Sequence, residues 1–318
     1  MLEWGPRLPK YRAMASLSHR QGWSFAVLVV LFPCFLSARS NEGSTTPTYR
    51  VGTSEVRVIF FATDERNRRL DTIDKNDFAI IDGENIVRDF RSLTRANETT
   101  LDIVVLVDTS ESVAPRFRST IDQILSLISH AAPADSLAMI TFAGVQPAVV
   151  CASDCSAAAA EQRIRALHPT GATPLFDALT FSARYLADRR RPNVRQVLLL
   201  FSDGNDTISG TSARQALDAV TESGVILYTI NPNKPDHDAK AAARLEEMSA
   251  ATGGRSFSTP VDATDILQAV LADWRACYVV TYPPPSHDAG FHSLRILPKH
   301  NLNLRFHSRK GYFYDEVR

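Results

Sequence analysis

Two apolar runs, each ending abruptly in polar residues, most constrain what this chain can fold into. Ile103-Val104-Val105-Leu106-Val107 runs into Asp108-Thr109-Ser110-Glu111-Ser112, and Val197-Leu198-Leu199-Leu200-Phe201 runs into Ser202-Asp203-Gly204-Asn205-Asp206. A short run that is apolar at every position predicts a strand buried on both faces. Such strands belong to parallel sheets whose crossover helices cover both sides. In open sheets of this kind, ligands bind beyond the carboxyl ends of the strands. The two polar tails therefore fall at one end of one sheet. Their carboxylates and hydroxyls are hard oxygen donors, which suit a divalent cation such as Mg2+. Asp and Ser are also frequent turn and N-cap residues, so one tail alone would say little.

The rest of the middle region alternates regularly. A strand over Leu101–Asp108 feeds a helix near Phe117–His130, whose Ile121, Ile124, Leu125 and Ile128 share a face. Pro133 stops it. A strand at Ser136–Phe142 and a short edge strand at Ala148–Cys151 follow. Helices are expected at Ser156–Leu167, Phe176–Leu186, Ser212–Ser223, Ala239–Ala251 and Asp265–Arg275. Between them come strands at Gln196–Phe201, Val225–Ile230 and Ser256–Ser258. Gly224 fits a helix C-cap, and Pro232 and Pro235 mark a loop. The fold class is α/β: a doubly wound, mainly parallel sheet covered on both faces.

Asp108-x-Ser110-x-Ser112 resembles the first metal-binding loop of von Willebrand factor type A domains, whose centre is the metal-ion-dependent adhesion site. Gly171-Ala172-Thr173-Pro174-Leu175, ahead of a helix, resembles the second loop, with Ala172 where a second glycine is common. The Asp203 segment resembles the third. The resemblance implies that Ser110, Ser112 and Thr173 coordinate Mg2+ (or Mn2+), directly or through water. Asp108 and Asp203 would supply charge, and Glu111 would point away. One coordination position would stay open for an acidic residue of a protein partner. The function implied is metal-dependent, adhesion-type protein binding rather than turnover. A scaffold of the cell envelope, with an incidental metal, is the alternative.

Strand patterns at both ends frame this unit. Glu55–Thr63, Ala79–Ile81 and Ile86–Leu93 read as strands, with Asp82-Gly83 as a hairpin turn. After Cys277, Tyr278–Tyr282, Phe291–Leu297 and Leu302–Phe306 read likewise, interrupted by Pro283-Pro284-Pro285. These segments and the ending Arg309-Lys310-Gly311-Tyr312-Phe313 resemble a bacterial family of exported proteins related to the A domain. Neither end can bury two sheet faces alone, so the two together are expected to form one β-sandwich-like domain. The divisions are 50–95 and 277–318 for the β regions and 100–276 for the A domain. Asp64, Asp71, Asp74 and Asp77 lack EF-hand spacing and read as solvated turn carboxylates.

Ahead of these, residues 1–38 read as a signal peptide and 39–49 as a linker. Met14 is a second plausible start, and the basic Arg20 precedes a short apolar run from Phe25 to Leu36. A periplasmic or extracellular location follows, with an uncleaved anchor as the only membrane contact expected. Of the four cysteines, Cys34 falls in the signal segment. Cys151 and Cys155 form either a local disulfide or two loop thiols. Cys277 is expected to be buried. His287, His292, His300 and His307 are irregularly spaced and read as surface residues.

With 35 basic and 35 acidic residues the chain has no net charge. No basic stripe marks a nucleic-acid footprint. No nucleophile elbow, phosphate loop or second acid is tied to Asp203. The expectation is therefore no nucleic acid, no small-molecule substrate and no enzymatic activity.

Overall fold

The computed structural model describes residues 55–95, 100–130, 136–152, 155, 157–191, 194–233, 237–258 and 260–314. The signal segment, the linker, Cys34, Pro133 and Pro235 lie outside them. In chain order the elements are β1 (Val56–Thr63), β2 (Phe78–Asp82), β3 (Asn85–Val87), β4 (Ser92–Arg95), β5 (Thr100–Asp108), α1 (Phe117–His130), β6 (Ser136–Phe142), β7 (Ala148–Cys151), α2 (Ala157–Arg165) and α3 (Leu175–Ala187). They continue with β8 (Val194–Phe201), α4 (Ala213–Ser223), β9 (Ile226–Asn231), α5 (Ala239–Ala251), β10 (Ser256–Ser258), α6 (Ala263–Arg275), β11 (Tyr278–Tyr282), β12 (Gly290–Pro298), β13 (Arg305–Ser308) and β14 (Gly311–Tyr314). A 3-10 turn, Glu111–Arg116, joins β5 to α1.

The central sheet has the order β10-β9-β8-β5-β6-β7, parallel throughout except for the antiparallel edge strand β7. The two apolar runs lie side by side in it as β5 and β8. Strand period 2 sends Ile103, Val105 and Val107 to the face covered by α1 and α6, and Val104 and Leu106 to the face covered by α3, α4 and α5. All five are at most 2% exposed. Each such side chain contributes about 1.5–3 kcal/mol on burial. The helices begin and end on local signals. Ser212 and Gln215 form a capping box for α4, and Gly224 ends it at φ 71°. Asp238 and Asp262 cap α5 and α6.

The end strands build two antiparallel four-stranded sheets, β13-β1-β11-β4 and β14-β12-β2-β3. Each takes strands from both ends of the chain. Their inner faces share one core, with Val56, Val58, Phe60, Tyr278 and Val280 from the first sheet and Phe78, Ile80, Leu294, Ile296 and Tyr312 from the second. Phe60 and Phe78 meet across it edge to face at 5.0 Å.

Three expectations need correction here. Ile86–Leu93 is not one strand: β3 pairs with β2 in one sheet and β4 with β11 in the other. The chain changes sheets between Val87 and Ser92, a crossing that a run of local residues cannot display. Leu302 is 77% exposed, and strand structure begins only at Arg305. His292 and His307 are partly buried rather than on the surface. His307 stacks on its cross-strand neighbour Phe61 at 4.5 Å and bonds Thr63 Oγ1 through Nε2 at 3.1 Å.

The α/β domain and the sandwich fall within one unit of the chain, residues 45–318. α6 passes through Ala276 and Cys277 straight into β11. Its Asp273, fully buried, is held by Arg69 from the sandwich at 2.5 Å and by Arg255 at 2.8 Å. Lys310 N donates to Ala251 O along the same seam. Cys277 is a buried free thiol, and Cys151 is disulfide-bonded to Cys155.

Candidate metal centre

β5 delivers Asp108 to the carboxyl end of the sheet, and β8 delivers Ser202 and Asp203 beside it. The turn after β5 then folds back over its own carboxylate. Ser110 donates to Asp108 Oδ1 through both its backbone N–H (2.9 Å) and its Oγ (2.6 Å). Ser110 Oγ is also 3.0 Å from Ser112 Oγ and accepts from Thr173 Oγ1 at 2.9 Å. Ser202 Oγ donates to Asp108 Oδ2 at 2.8 Å. Four of the five candidate residues thus form a continuous chain of oxygens, and the charge of the fifth, Asp203, reaches Asp108.

Backbone bonds lock the three loops together. Thr109 N donates to Phe142 O, Glu111 N to Gly171 O, Thr170 N to Thr109 O and Gly144 N to Ala172 O. Thr173 N donates to Thr207 Oγ1 at 2.8 Å, and Thr207 N returns the bond to Thr173 O at 2.9 Å. Asp203 Oδ1 accepts from Asn205 N at 3.0 Å. The next residue, Gly204, has φ 86°, and a Cβ there would lie 2.8 Å from Ala241 O. Only glycine lets the Asp203 loop approach α5 this closely. Arg244 of α5 then donates to Gly204 O at 2.7 Å.

Asp108, Ser110, Thr173 and Asp203 are buried, while Ser112 and Glu111 are exposed, so the cluster opens to solvent at Ser112. Burial pushes the Asp108 carboxyl up to about 6, against the pull of hydrogen bonds from Ser110 and Ser202, and the charge of Asp203 adds to the rise.

The donor set fits an octahedral cation. Oxygens 2.0–2.1 Å from Mg2+ sit about 2.9 Å apart along an octahedron edge. The hydroxyl separations Ser110–Ser112 (3.0 Å) and Ser110–Thr173 (2.9 Å) are of that size. Among the described residues no group of three or more His, Cys, Asp or Glu could hold a metal. A cation here would rest on hydroxyls, as the sequence pattern implies.

Two residues of the cluster carried no assigned role in the sequence. Ser202 is the first polar residue after the β8 run, and its place directly before Asp203 was the available signal. Thr207 has no sequence signal, because its partner Thr173 is 34 positions away.

Among the described residues no helix is long and apolar enough to cross a membrane. Structures of similar outline include BatB from Bacteroides thetaiotaomicron, at 16% identity over 54% of this chain and 98% of that one (TM-score 0.44). Manganese-loaded TRAP protein of Plasmodium vivax matches at 16% identity over 75% of this chain and 100% of that one (TM-score 0.44). Proximal thread matrix protein 1 of the mussel byssus, with a zinc-occupied MIDAS motif, matches at 17% identity over 61% and 49% (TM-score 0.43). No curated protein sequence matches the chain. The family model for the von Willebrand factor type A domain matches residues 102–271, more than half of the sequence, and the chain belongs to that family.

Proposed function

We propose that this protein is an exported binding module that uses a divalent cation, Mg2+ or Mn2+, to ligate an acidic residue of a protein partner. The observation that carries the reading is the chain of oxygens from Asp108 through Ser110 to Ser112 and Thr173, buried at one end and open to solvent at the other. Asp108, Ser110, Ser112, Thr173 and Asp203 would hold the ion. When bound, the cation supplies a Lewis-acidic position that an incoming carboxylate can fill. With three hydroxyls and two carboxylates, the site supplies five oxygens and leaves one octahedral position for an outside donor. Ser202 and Thr207 orient Asp108 and Thr173 from behind.

Protein rather than small-molecule recognition is favoured by the surroundings. Val145 and Ile208 are 84% and 47% exposed. Each follows directly on a residue bonded to the Ala172-Thr173 pair, Gly144 and Thr207. Apolar residues beside a charged anchor suit a protein surface. We read the site as non-catalytic, with its hydroxyls and carboxylates acting as ligands.

Calorimetric titration of the purified chain with Mg2+ or Mn2+ should give one site that Asp108→Ala removes. Partners captured from a periplasmic extract should be lost with EDTA and with Thr173→Ala, while circular dichroism shows an unchanged fold. Metal binding undiminished in Asp108→Ala would refute the site. A partner held equally well in EDTA would refute the metal bridge and favour a scaffold.

A further inference from the structure

A second site lies at the opposite end of the central sheet. A cavity of about 230 Å³ sits between the amino ends of β8 and β9 and the sandwich. Arg57, Arg190, Arg191, Arg195 and Arg309 line it, and no Asp or Glu does. Some of this charge has acceptors. Arg191 bonds Asp102 at 3.1 Å, Arg190 donates to the Ser223 carbonyl, and Arg309 donates to Arg57 O at 2.9 Å.

Arg195 differs. It stands on β8 opposite Leu101 of β5, is 5% exposed, and none of its three side-chain nitrogens has an oxygen or nitrogen acceptor among the described residues. Its polar neighbour is the buried Cys277 thiol, a weak and uncharged hydrogen-bond acceptor that does not balance the guanidinium charge. A buried lysine could shed its proton under such conditions, but a guanidinium stays charged at any physiological pH. An uncompensated buried cation is costly to a fold, and an anion bound in the cavity would offset that cost. The other arginines of the same cavity favour two negative charges over one. The volume is below the ~300–1,000 Å³ of pockets for drug-sized ligands, which limits the occupant to a small molecule. Phe61 and Ile226 supply an apolar wall.

We propose that this cavity binds a phosphate-type oxyanion, either inorganic phosphate or a compact phosphate monoester. The guanidinium fork matches phosphate oxygens in geometry as well as charge. The site is separate from the Asp108 cluster and stands whether or not that cluster binds metal.

The test uses the full chain in EDTA at matched ionic strength, followed by thermal melting and calorimetry with inorganic phosphate and with phenyl phosphate. At about 10 mM, either should raise Tm by several degrees. Asp108→Ala should respond like the parent. Arg195→Met should abolish the shift and weaken binding roughly 10-fold or more. Without ligand, Arg195→Met should melt no lower than the parent, because its charge has no anionic partner among the described residues to lose. Arg57→Gln, at an exposed position, should weaken binding about 2–5-fold without changing the unliganded Tm. Phenyl phosphate binding about 10-fold tighter than phosphate would assign the ester, and equal affinity the free anion. The proposal is overturned by no phosphate-dependent shift in the parent, or by an equal shift in both arginine variants. It is also overturned if Arg195→Met melts well below the parent or fails to fold, since Arg195 would then be a structural ion-pair partner.

Discussion

The His307 imidazole should make this protein acid-sensitive through one identifiable group. Burial lowers its proton affinity to about 4 from the ordinary 6.5, and the charges of Arg255, Arg305 and Arg69 push in the same direction. The ring is neutral in the fold, stacked on Phe61 and bonded to Thr63. A folded value below the unfolded one favours the unfolded chain as protons are added. The full contribution is present above pH 6.5 and is lost as pH falls from there towards 4. Linkage between those two values gives about 2 kcal/mol of lost stability at pH 5 relative to pH 7.5, reduced towards ~1 by the exposed edge of the ring. Urea unfolding of the parent and of His307→Gln, both in EDTA at pH 7.5 and 5, isolates the effect, because the other titrating groups are common to both. The parent should lose about 1–2 kcal/mol more than the variant over that interval. Parallel losses would show that His307 titrates normally in the fold and would refute the reasoning.

Three further outcomes follow from the packing. Asp273→Asn should cost about 3–5 kcal/mol in urea unfolding, because it leaves Arg69 and Arg255 facing a neutral group in a buried site. Deleting residues 278–318 removes both partners of β1 and the β12 partner of β2, exposing Val56, Val58, Phe60 and Ile80. The truncated chain should aggregate in light scattering, whereas independent β pieces would leave it monomeric. Cys151→Ser opens a loop of separation 4 at the edge strand β7, and a short loop of this size contributes about 2 kcal/mol. The loss should appear equally on reducing the parent with dithiothreitol.

Much of the α/β domain was legible in the sequence because its signals are local. Ile103–Val107 and Val197–Phe201 state their burial residue by residue, and Ser212, Gln215 and Gly224 state where α4 starts and stops. The Asp108 tail was legible for the same reason, since the carboxylate and its first two hydroxyl neighbours lie within five residues. What stayed hidden depends on distant partners. Asp82 reads as a hairpin-turn residue, yet its carboxylate is buried and accepts from Tyr282 at 2.9 Å and Tyr312 at 3.0 Å, 200 and 230 positions away. Burial against the charge of Asp82 raises both phenols well above their usual range. The burial of His307 is equally non-local, because only the β1–β13 pairing brings Phe61 and Thr63 against it. The break in Ile86–Leu93 reflects a choice between two sheets, and both candidate partner strands lie elsewhere in the chain.

The Asp273 clamp has a mechanical meaning. A helix joined to a neighbouring domain by a slack linker can slide without that domain feeling it. Here α6 meets β11 after only Ala276 and Cys277, and Arg69, anchored in the sandwich, grips both Asp273 and the Ala269 carbonyl of the same helix. Three attachments, the chain itself, an ion pair and a hydrogen bond, fix α6 to the sandwich. By this reading, a tug on the sandwich should be delivered to the helix that covers one face of the central sheet, as torque is carried through a keyed shaft.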